Sequence, residues 1–428
     1  MKRGLMIFLV FVIAMAYSIS AQSQANSEMQ ELFGDNDEAG VIVVLKDDYD
    51  VLQKYGISND KDDFDAKKSM IKEQQGAVFA DLTLKKKDKG LSAQNNEDYE
   101  FDLTNTYTTV NGFAGKLKKS GYQKLKNNPR VLKIYKPKNI TLFLSDSAGI
   151  INATRTWSLV YNGTNVTGKH ESVCVIDTGV DYTHPAWGEC SNNSFLNGTC
   201  SKVIGGYDFV NSDSNPIDDN GHGTHVAGIV ASTNETYRGI APDANIIAIK
   251  VLDSSGGGSG PDLIDGIDWC VNNASKFNIS VITMSLGTTE LFASHCDNDD
   301  TLLTSSIANA IIKNISVIAA TGNRKSPTDS TPSTTGIASP ACITNTTAVG
   351  GTTKSDAIDF NRNNITDLLA PGVNITSTKK GGGFESLSGT SMATPHVAGA
   401  FALLRQYRRP IQASRLMTQV EADFFSRG

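Results

Sequence analysis

Apolar and polar positions along this chain follow two different rhythms in two zones. From Gly40 to Lys46 (GVIVVLK) the residues are β-rich, and a charged helical stretch follows, around Asp63 to Leu84. Tyr107 to Val110 and Gly112 to Leu117 read as a strand pair joined at Asn111-Gly112, because Asn-Gly favours a tight hairpin turn. Tyr122 to Leu125 reads as helix and Val131 to Tyr135 as a last strand. The order β-α-β-β-α-β is ferredoxin-like.

Beyond about residue 145 the pattern changes. Apolar runs predict strands at Ser172 to Ile176, Ile246 to Val251, Ile279 to Met284, Val317 to Ala320 and Thr347 to Val349. Helical runs lie between them, around Asp262 to Asn272 and Leu302 to Lys313. Near-continuous apolar strands separated by helices predict a mostly parallel sheet covered by helices on both faces, an α/β fold. The chemistry of such sheets sits at the carboxyl ends of the strands.

Composition adds a third segment and a compartment. Lys2 and Arg3 precede an almost wholly apolar run, Leu5 to Tyr17, and small and polar residues follow from Ser18 to Ala21. That order is a secretory signal, and the run is shorter than the ~20 residues a spanning helix needs. The expected layout is a signal peptide at 1–21, a small domain at 22–144 and a larger one at 145–428. The expected product is secreted or at the cell surface, monomeric and without a membrane span once the signal is gone. No accessory domain is expected after the larger one.

With 428 residues, 39% hydrophobic and 20% charged, the chain is an ordinary globular one. A net charge of −6 disfavours a nucleic-acid partner, which needs concentrated Lys and Arg. Export permits disulfides among Cys174, Cys190, Cys200, Cys270, Cys296 and Cys342. Cys190 and Cys200 bracket a polar loop suited to a local bridge, whereas Cys174 and Cys270 sit in apolar runs that suit free core thiols. Asn-x-Ser/Thr sequons occur only from Asn139 onward, and sugar on them would also fit export.

Three segments hold the candidate chemistry. In VCVIDTGVD, Asp177 directly follows an apolar strand; alone it reads as a turn former as well as a carboxylate at a sheet edge. In NGHGTHVAG, His222 stands between two glycines before a small-residue helix. Three readings compete: a dinucleotide loop, which would need its third Gly in another place; a metal site at His222 and His225, which would need a third ligand; and His222 as a general base. In LSGTSMATPHVAG, Ser391 lies in the first turn of a helix, where the dipole favours negative charge, although an N-cap would look the same.

Together the three segments closely resemble the signatures of the subtilase family of serine peptidases, in the order Asp, His, Ser. The resemblance spans about 150 to 420. It implies a triad of Asp177, His222 and Ser391 acting by acyl transfer on protein or peptide substrates, with no catalytic cofactor. AATGN resembles the oxyanion segment, which implies Asn323 as a donor. Ser254, Gly256 and Gly257, with Ser285, Leu286 and Gly287, resemble the two edges that hold an extended substrate by strand addition. Thr288 stands where many relatives have a second Gly.

Asp208 and Asp213 resemble a calcium loop of some relatives, which implies structural calcium. His225 and His396 resemble structural histidines. The first zone resembles the subtilase propeptide, an intramolecular inhibitor whose tail lies in the substrate groove. Self-cleavage is then expected between Thr141 and Ser147, with Phe143 and Leu144 suiting an apolar pocket. The alternative is an inactive secreted homologue used for binding. A lipase-like hydrolase would need Gly-x-Ser-x-Gly around its serine, which Ser391 lacks.

Overall fold

The computed structural model describes residues 28–46, 64–85, 99–137, 139–142, 151–326 and 328–407. The expected signal at 1–21 lies outside the described residues, as do Phe143, Leu144 and Ser147. The chain divides into two units, Met1–Ser58 with Asp65–Pro137, and Asn59–Phe64 with Lys138–Gly428.

The first unit runs β1 (Glu38–Leu45), α1 (Phe64–Phe79), β2 (Phe101–Thr106), β3 (Gly112–Lys118), α2 (Lys119–Asn127) and β4 (Val131–Tyr135). Its antiparallel sheet has the order β2-β3-β1-β4, the ferredoxin-like arrangement. Val41, Val43 and Leu45 alternate onto one face of β1 and meet Phe101, Phe113 and Leu125. The ring of Phe113 packs edge-on to Phe79 and Phe101.

One expectation is corrected here. The strand before β3 is Phe101–Thr106, not Tyr107 to Val110. Residues 107–111 form a wider loop because buried side chains bind the backbone there. Gln75 donates to the carbonyls of Tyr107 and Gly112 at 2.9 and 2.7 Å, and Asn111 donates to the carbonyl of Lys46 at 3.0 Å. Asn111 thus spends its side chain on a cross-link instead of a two-residue turn.

The second unit is built on seven parallel strands. In chain order they are β6 (Ser172–Asp177), β7 (Val203–Asp208), β8 (Asn245–Lys250), β10 (Ile279–Met284), β12 (Ser316–Ala320), β13 (Thr347–Thr352) and β14 (Leu368–Pro371). The sheet order is β14-β13-β12-β10-β6-β8-β7. Three short strands, β5 (Asn139–Leu142), β9 (Gly257–Ser259) and β11 (Leu286–Gly287), form a separate ladder.

Every residue of β6 and β10 is buried, because helices cover both faces. Val173 and Val175 of β6 share a core with Val226 of α3 (His222–Ala231) and Met392 of α6 (Thr390–Tyr407). Cys174, on the opposite side of the strand, is bridged to Cys270 of α4 (Gly260–Asn272). Helix α5 (Thr301–Ile312) packs beside α4.

Cys174 and Cys270 are therefore not free thiols. Strand alternation aims Cys174 at α4, and a Cα separation of 6.5 Å is within reach of a bridge. Cys190–Cys200 closes the polar loop as expected, and Cys296–Cys342 completes the set. The edge strands β7 and β14 were not anticipated. Gly205-Gly206 and Pro371 dilute their apolar signal, and such residues are tolerated at edges.

Candidate active site

The parallel sheet sets three polar residues in a row. Strands β6, β10 and β12 are neighbours, and Asp177, Ser285 and Asn323 lie at or just past their carboxyl ends. Met284 pairs with Ile176, so Ser285 stands level with Asp177. Asp177 is fully buried. Its Oδ1 accepts from His222 Nδ1 at 2.7 Å and from the Thr178 N–H at 2.8 Å, while its Oδ2 has no partner. A buried carboxylate left short of donors gains from any positive charge on the imidazole beside it.

His222 opens α3, and its backbone reaches Asp177 only because of two glycines. Gly221, with φ +121°, turns the chain into the helix. A Cβ on Gly223 would lie 2.1 Å from the Gly179 carbonyl and 3.1 Å from Asp177 Oδ1. Asp218 holds this turn. Its carboxylate accepts from the N–H groups of Asn220, Gly221 and Thr224, from Thr224 Oγ1 and from Thr178 Oγ1, at 2.6–3.0 Å. It thus ties the residue after Asp177 to the turn carrying His222. Burial pushes its carboxyl pKa up, opposed by these bonds.

Ser391 is the second residue of α6 and fully buried. It does not cap the helix. Asn323 does, accepting the Thr390 N–H at 2.8 Å and Thr390 Oγ1 at 3.1 Å on its Oδ1. With Oδ1 engaged, the amide's NH₂ is the end left for a ligand. Ser391 and Ser285 bond reciprocally: Ser391 Oγ donates to the Ser285 carbonyl at 3.0 Å, and Ser285 Oγ donates to the Ser391 carbonyl at 2.7 Å. Register puts Ser285 beside Asp177, so Ser391 is brought to the same strand ends as the His222–Asp177 pair.

The β5 ladder lies alongside. Asn139–Leu142 runs antiparallel between β9 and β11, with Thr141 opposite Gly257 and Gly287, and Leu142 opposite Leu286. Of the expected edge residues, Gly257, Leu286 and Gly287 are in the ladder. Gly256, with φ +83°, is in the turn before it, and Ser254 accepts from Asn220 Nδ2 at 3.0 Å through its carbonyl.

Two contributors were given no role at this site from sequence, Lys250 and Asp218, the latter read only as the end of the stretch that resembles a calcium loop. Lys250 is paired with Asp177 in register and buried. Its Nζ donates to the Thr178 and Leu252 carbonyls at 3.1 and 2.8 Å and to Asp219 Oδ1 at 2.7 Å. A lysine ending an apolar strand is the only sequence signal for it.

His225 and His396 bond backbone carbonyls, of Glu385 and Met392. At Asp208 and Asp213, where structural calcium is expected, both carboxylates are bonded within their own loop. The Asp208 carboxylate accepts from Asn211 and that of Asp213 from Asn215. Among the described residues no three His, Cys, Asp or Glu side chains cluster to hold a metal. Among the described residues no helix is long and apolar enough to cross a membrane.

A subtilase family model matches residues 168–422, and a peptidase inhibitor I9 model matches 40–143. Subtilisin E of Bacillus subtilis (strain 168) is 38% identical over 304 residues, covering 69% of this chain and 70% of that one. The thermophilic serine proteinase of Bacillus sp. (strain AK1) is 40% identical over 261 residues, covering 60% and 57%. Alkaline serine exoprotease A of Vibrio alginolyticus is 33% identical over 337 residues, covering 74% and 55%. A cold adapted subtilisin-like serine proteinase of known crystal structure is 32% identical, covering 64% of this chain and 90% of that one, with a TM-score of 0.49. The chain belongs to the subtilase family: it is a subtilisin-like serine endopeptidase that carries a peptidase inhibitor I9 domain ahead of its peptidase domain.

Proposed function

We propose that Asp177, His222 and Ser391 form the catalytic triad, that Asn323 supplies the oxyanion donor, and that the chain is a secreted monomeric precursor that matures by cutting itself. The observation that carries this reading is the buried 2.7 Å bond from His222 Nδ1 to Asp177 Oδ1, at the strand ends where Ser285 holds Ser391. Donating Nδ1–H to Asp177 leaves Nε2 as the basic nitrogen. Ser391 Oγ attacks the peptide carbonyl, His222 takes its proton and returns it to the leaving amine, and Asp177 stabilises the imidazolium between the two transfers. The oxyanion forms at the N-terminus of α6, where the Ser391 N–H and the Asn323 NH₂ meet it. No cofactor enters; calcium at Asp208 and Asp213 would be structural only.

The edges β9 and β11 are the substrate cleft in this reading, because a strand already pairs with both. The first domain is the inhibitor and Asn139–Leu142 its tail. Mass measurement of the purified precursor beside its Ser391→Ala variant tests the reading. Loss of the first domain in wild type alone supports it. Identical cleavage of both, or none in a folded wild type that also leaves peptides intact, overturns it.

A further inference from the structure

We infer that the peptidase domain carries N-linked sugar on Asn162 and Asn345, at the end of the sheet opposite Ser391, where it shields exposed loops and leaves the cleft clear. The inference rests on the export proposed above and adds a modification to it. From Asn139 to Gly428 there are 24 asparagines, and 13 have Ser or Thr two positions on with no Pro between. Ser and Thr are 63 of those 290 residues, so chance would give about five such triplets. Before Asn139 there are nine asparagines, and none stands in such a triplet. Burial sorts the asparagines the same way. Asn111, Asn128, Asn309 and Asn361 are buried, and none has Ser or Thr two positions on. Of the twelve triplet asparagines from Asn152 to Asn374, none is buried. Sugar is bulky and hydrated, so a folded chain that carries it must leave the asparagine in reach of solvent.

Topology places these triplets. Parallel strands all start at one edge of the sheet, and Ser391 lies at the other, where they end. Asn278, Asn314 and Asn345 come one or two residues before β10, β12 and β13. Helix α6 is 18 residues long and runs about 27 Å away from Ser391. At its far end Gln406 Nε2 donates to the Asn165 carbonyl at 2.8 Å, and the Tyr407 ring lies 5.4 Å from that of Tyr161. Asn162 is therefore at that same end. Only Asn374, after the edge strand β14, follows the end of one of the seven strands within ten residues. Asn162 and Asn345 are both exposed there. Exposed loops are where a peptidase cuts other copies of itself, and sugar on them blocks the approach of a second cleft.

The co-reactant is a sugar joined through its anomeric carbon to a lipid phosphate, brought by a transferase of the export path. Asn Nδ2 bonds to that carbon, and the bond from the carbon to the phosphate oxygen breaks. The amide gives one proton to a base of the transferase, and the lipid phosphate leaves as the anion. Nothing is oxidised or reduced. The Ser or Thr two positions on is the part of the triplet that the transferase reads.

The test is peptide mapping by mass spectrometry of the chain recovered from the medium and from the interior of the cells that make it. Sugar mass on Asn162 and Asn345 is expected in the medium. Asn211 and Asn298, exposed but with Asp two positions on, should be bare. The double variant Asn162→Gln with Asn345→Gln should lose both sugar masses and keep its kcat on a short peptide. Its lifetime in concentrated medium should shorten at least ~3-fold. Bare Asn162 and Asn345 in a chain from the medium overturn the inference and leave export standing. A chain held inside the cell with residues 1–21 still attached overturns the export reading, and this one with it. Sugar on Asn374 alone overturns the placement, and an unchanged lifetime of the double variant overturns the shielding.

Discussion

Ser285 Oγ donates at 2.7 Å to the carbonyl of Ser391, the carbonyl that Pro395 leaves without a donor. In a regular helix the N–H of residue 395 would bond to residue 391, and proline has none. A side chain from the end of β10 completes the helix that carries Ser391, and the Ser391 hydroxyl returns the bond.

This relationship predicts that Ser285→Ala leaves a buried carbonyl unsatisfied and costs about 1–3 kcal/mol. Denaturant unfolding in a Ser391→Ala background, where self-digestion is absent, measures it. Adding Pro395→Ala restores an N–H, so the same Ser285→Ala change should then cost much less. Equal costs in the two backgrounds would break the link between Ser285 and Pro395.

Asn323 caps α6, and in the proposed mechanism it also supplies the oxyanion donor, two jobs that substitution can separate. Asn323→Asp keeps an oxygen for the Thr390 N–H but loses the NH₂. Turnover should fall ~10²–10³-fold, a magnitude known from the corresponding donor of subtilisin itself. Thermal stability of the Asp variant should stay near wild type, whereas Asn323→Ala loses turnover and also about 1 kcal/mol of helix capping. Steady-state kinetics on a peptide anilide with thermal melts of both variants check this.

Gly223→Ala should abolish the alignment of His222. The added Cβ would overlap the Gly179 carbonyl at 2.1 Å, a backbone atom that cannot swing aside. The kcat of a peptide substrate should drop by more than ~10²-fold, as for a misplacement of about 1 Å at the reacting groups. Gly198→Ala is the control for a backbone glycine with open space around it; its φ of +67° costs stability but not kcat.

Stability should rise with pH across two windows. Burial, reinforced by the nearby His225, lowers His396 from an ordinary 6.5 to about 4. Between those values the unfolded chain binds the proton and the folded one does not, so stability falls as pH drops from 6.5 toward 4. The loss is about 3 kcal/mol. Lys202 is lowered from 10.5 to about 7, chiefly by burial, so stability rises as pH climbs from 7 toward 10.5. Lys202→Met should flatten the alkaline rise and leave the acid limb unchanged, as read from unfolding free energies of the Ser391→Ala protein against pH.

The Cys174–Cys270 bridge closes a 96-residue span between β6 and α4. Replacing both by alanine should lower stability by about 2–5 kcal/mol and leave kcat nearly unchanged, because neither sulfur borders the strand ends that hold Ser391. Melting temperature and kcat, measured on the same preparation, test both halves of that statement.

Most of the fold was legible because its signals are local. Apolar runs such as Ser172 to Ile176 mark strands buried on both faces, and the glycines around His222 mark a close turn. Those signals fail where tertiary demand overrides local habit. Asn111-Gly112 looks like a hairpin turn, yet Gln75 and Asn111 use the loop for cross-links. Cys174 looks like a core thiol, yet its partner lies 96 positions away. Lys250 and Asp218 are buried among carbonyls and N–H groups that come from other segments.

By itself the sequence determined which residue types were available, the buried inner strands and the helices between them, and that Asp177, His222 and Ser391 sit in motifs of one family. Their meeting is a property of the tertiary structure. The 2.7 Å bond between residues 45 positions apart depends on the strand order β12-β10-β6-β8 and on the register of Met284 with Ile176. Strand order and register are chosen by burial on both faces of the whole sheet, a sum over distant contacts that no local stretch of sequence contains.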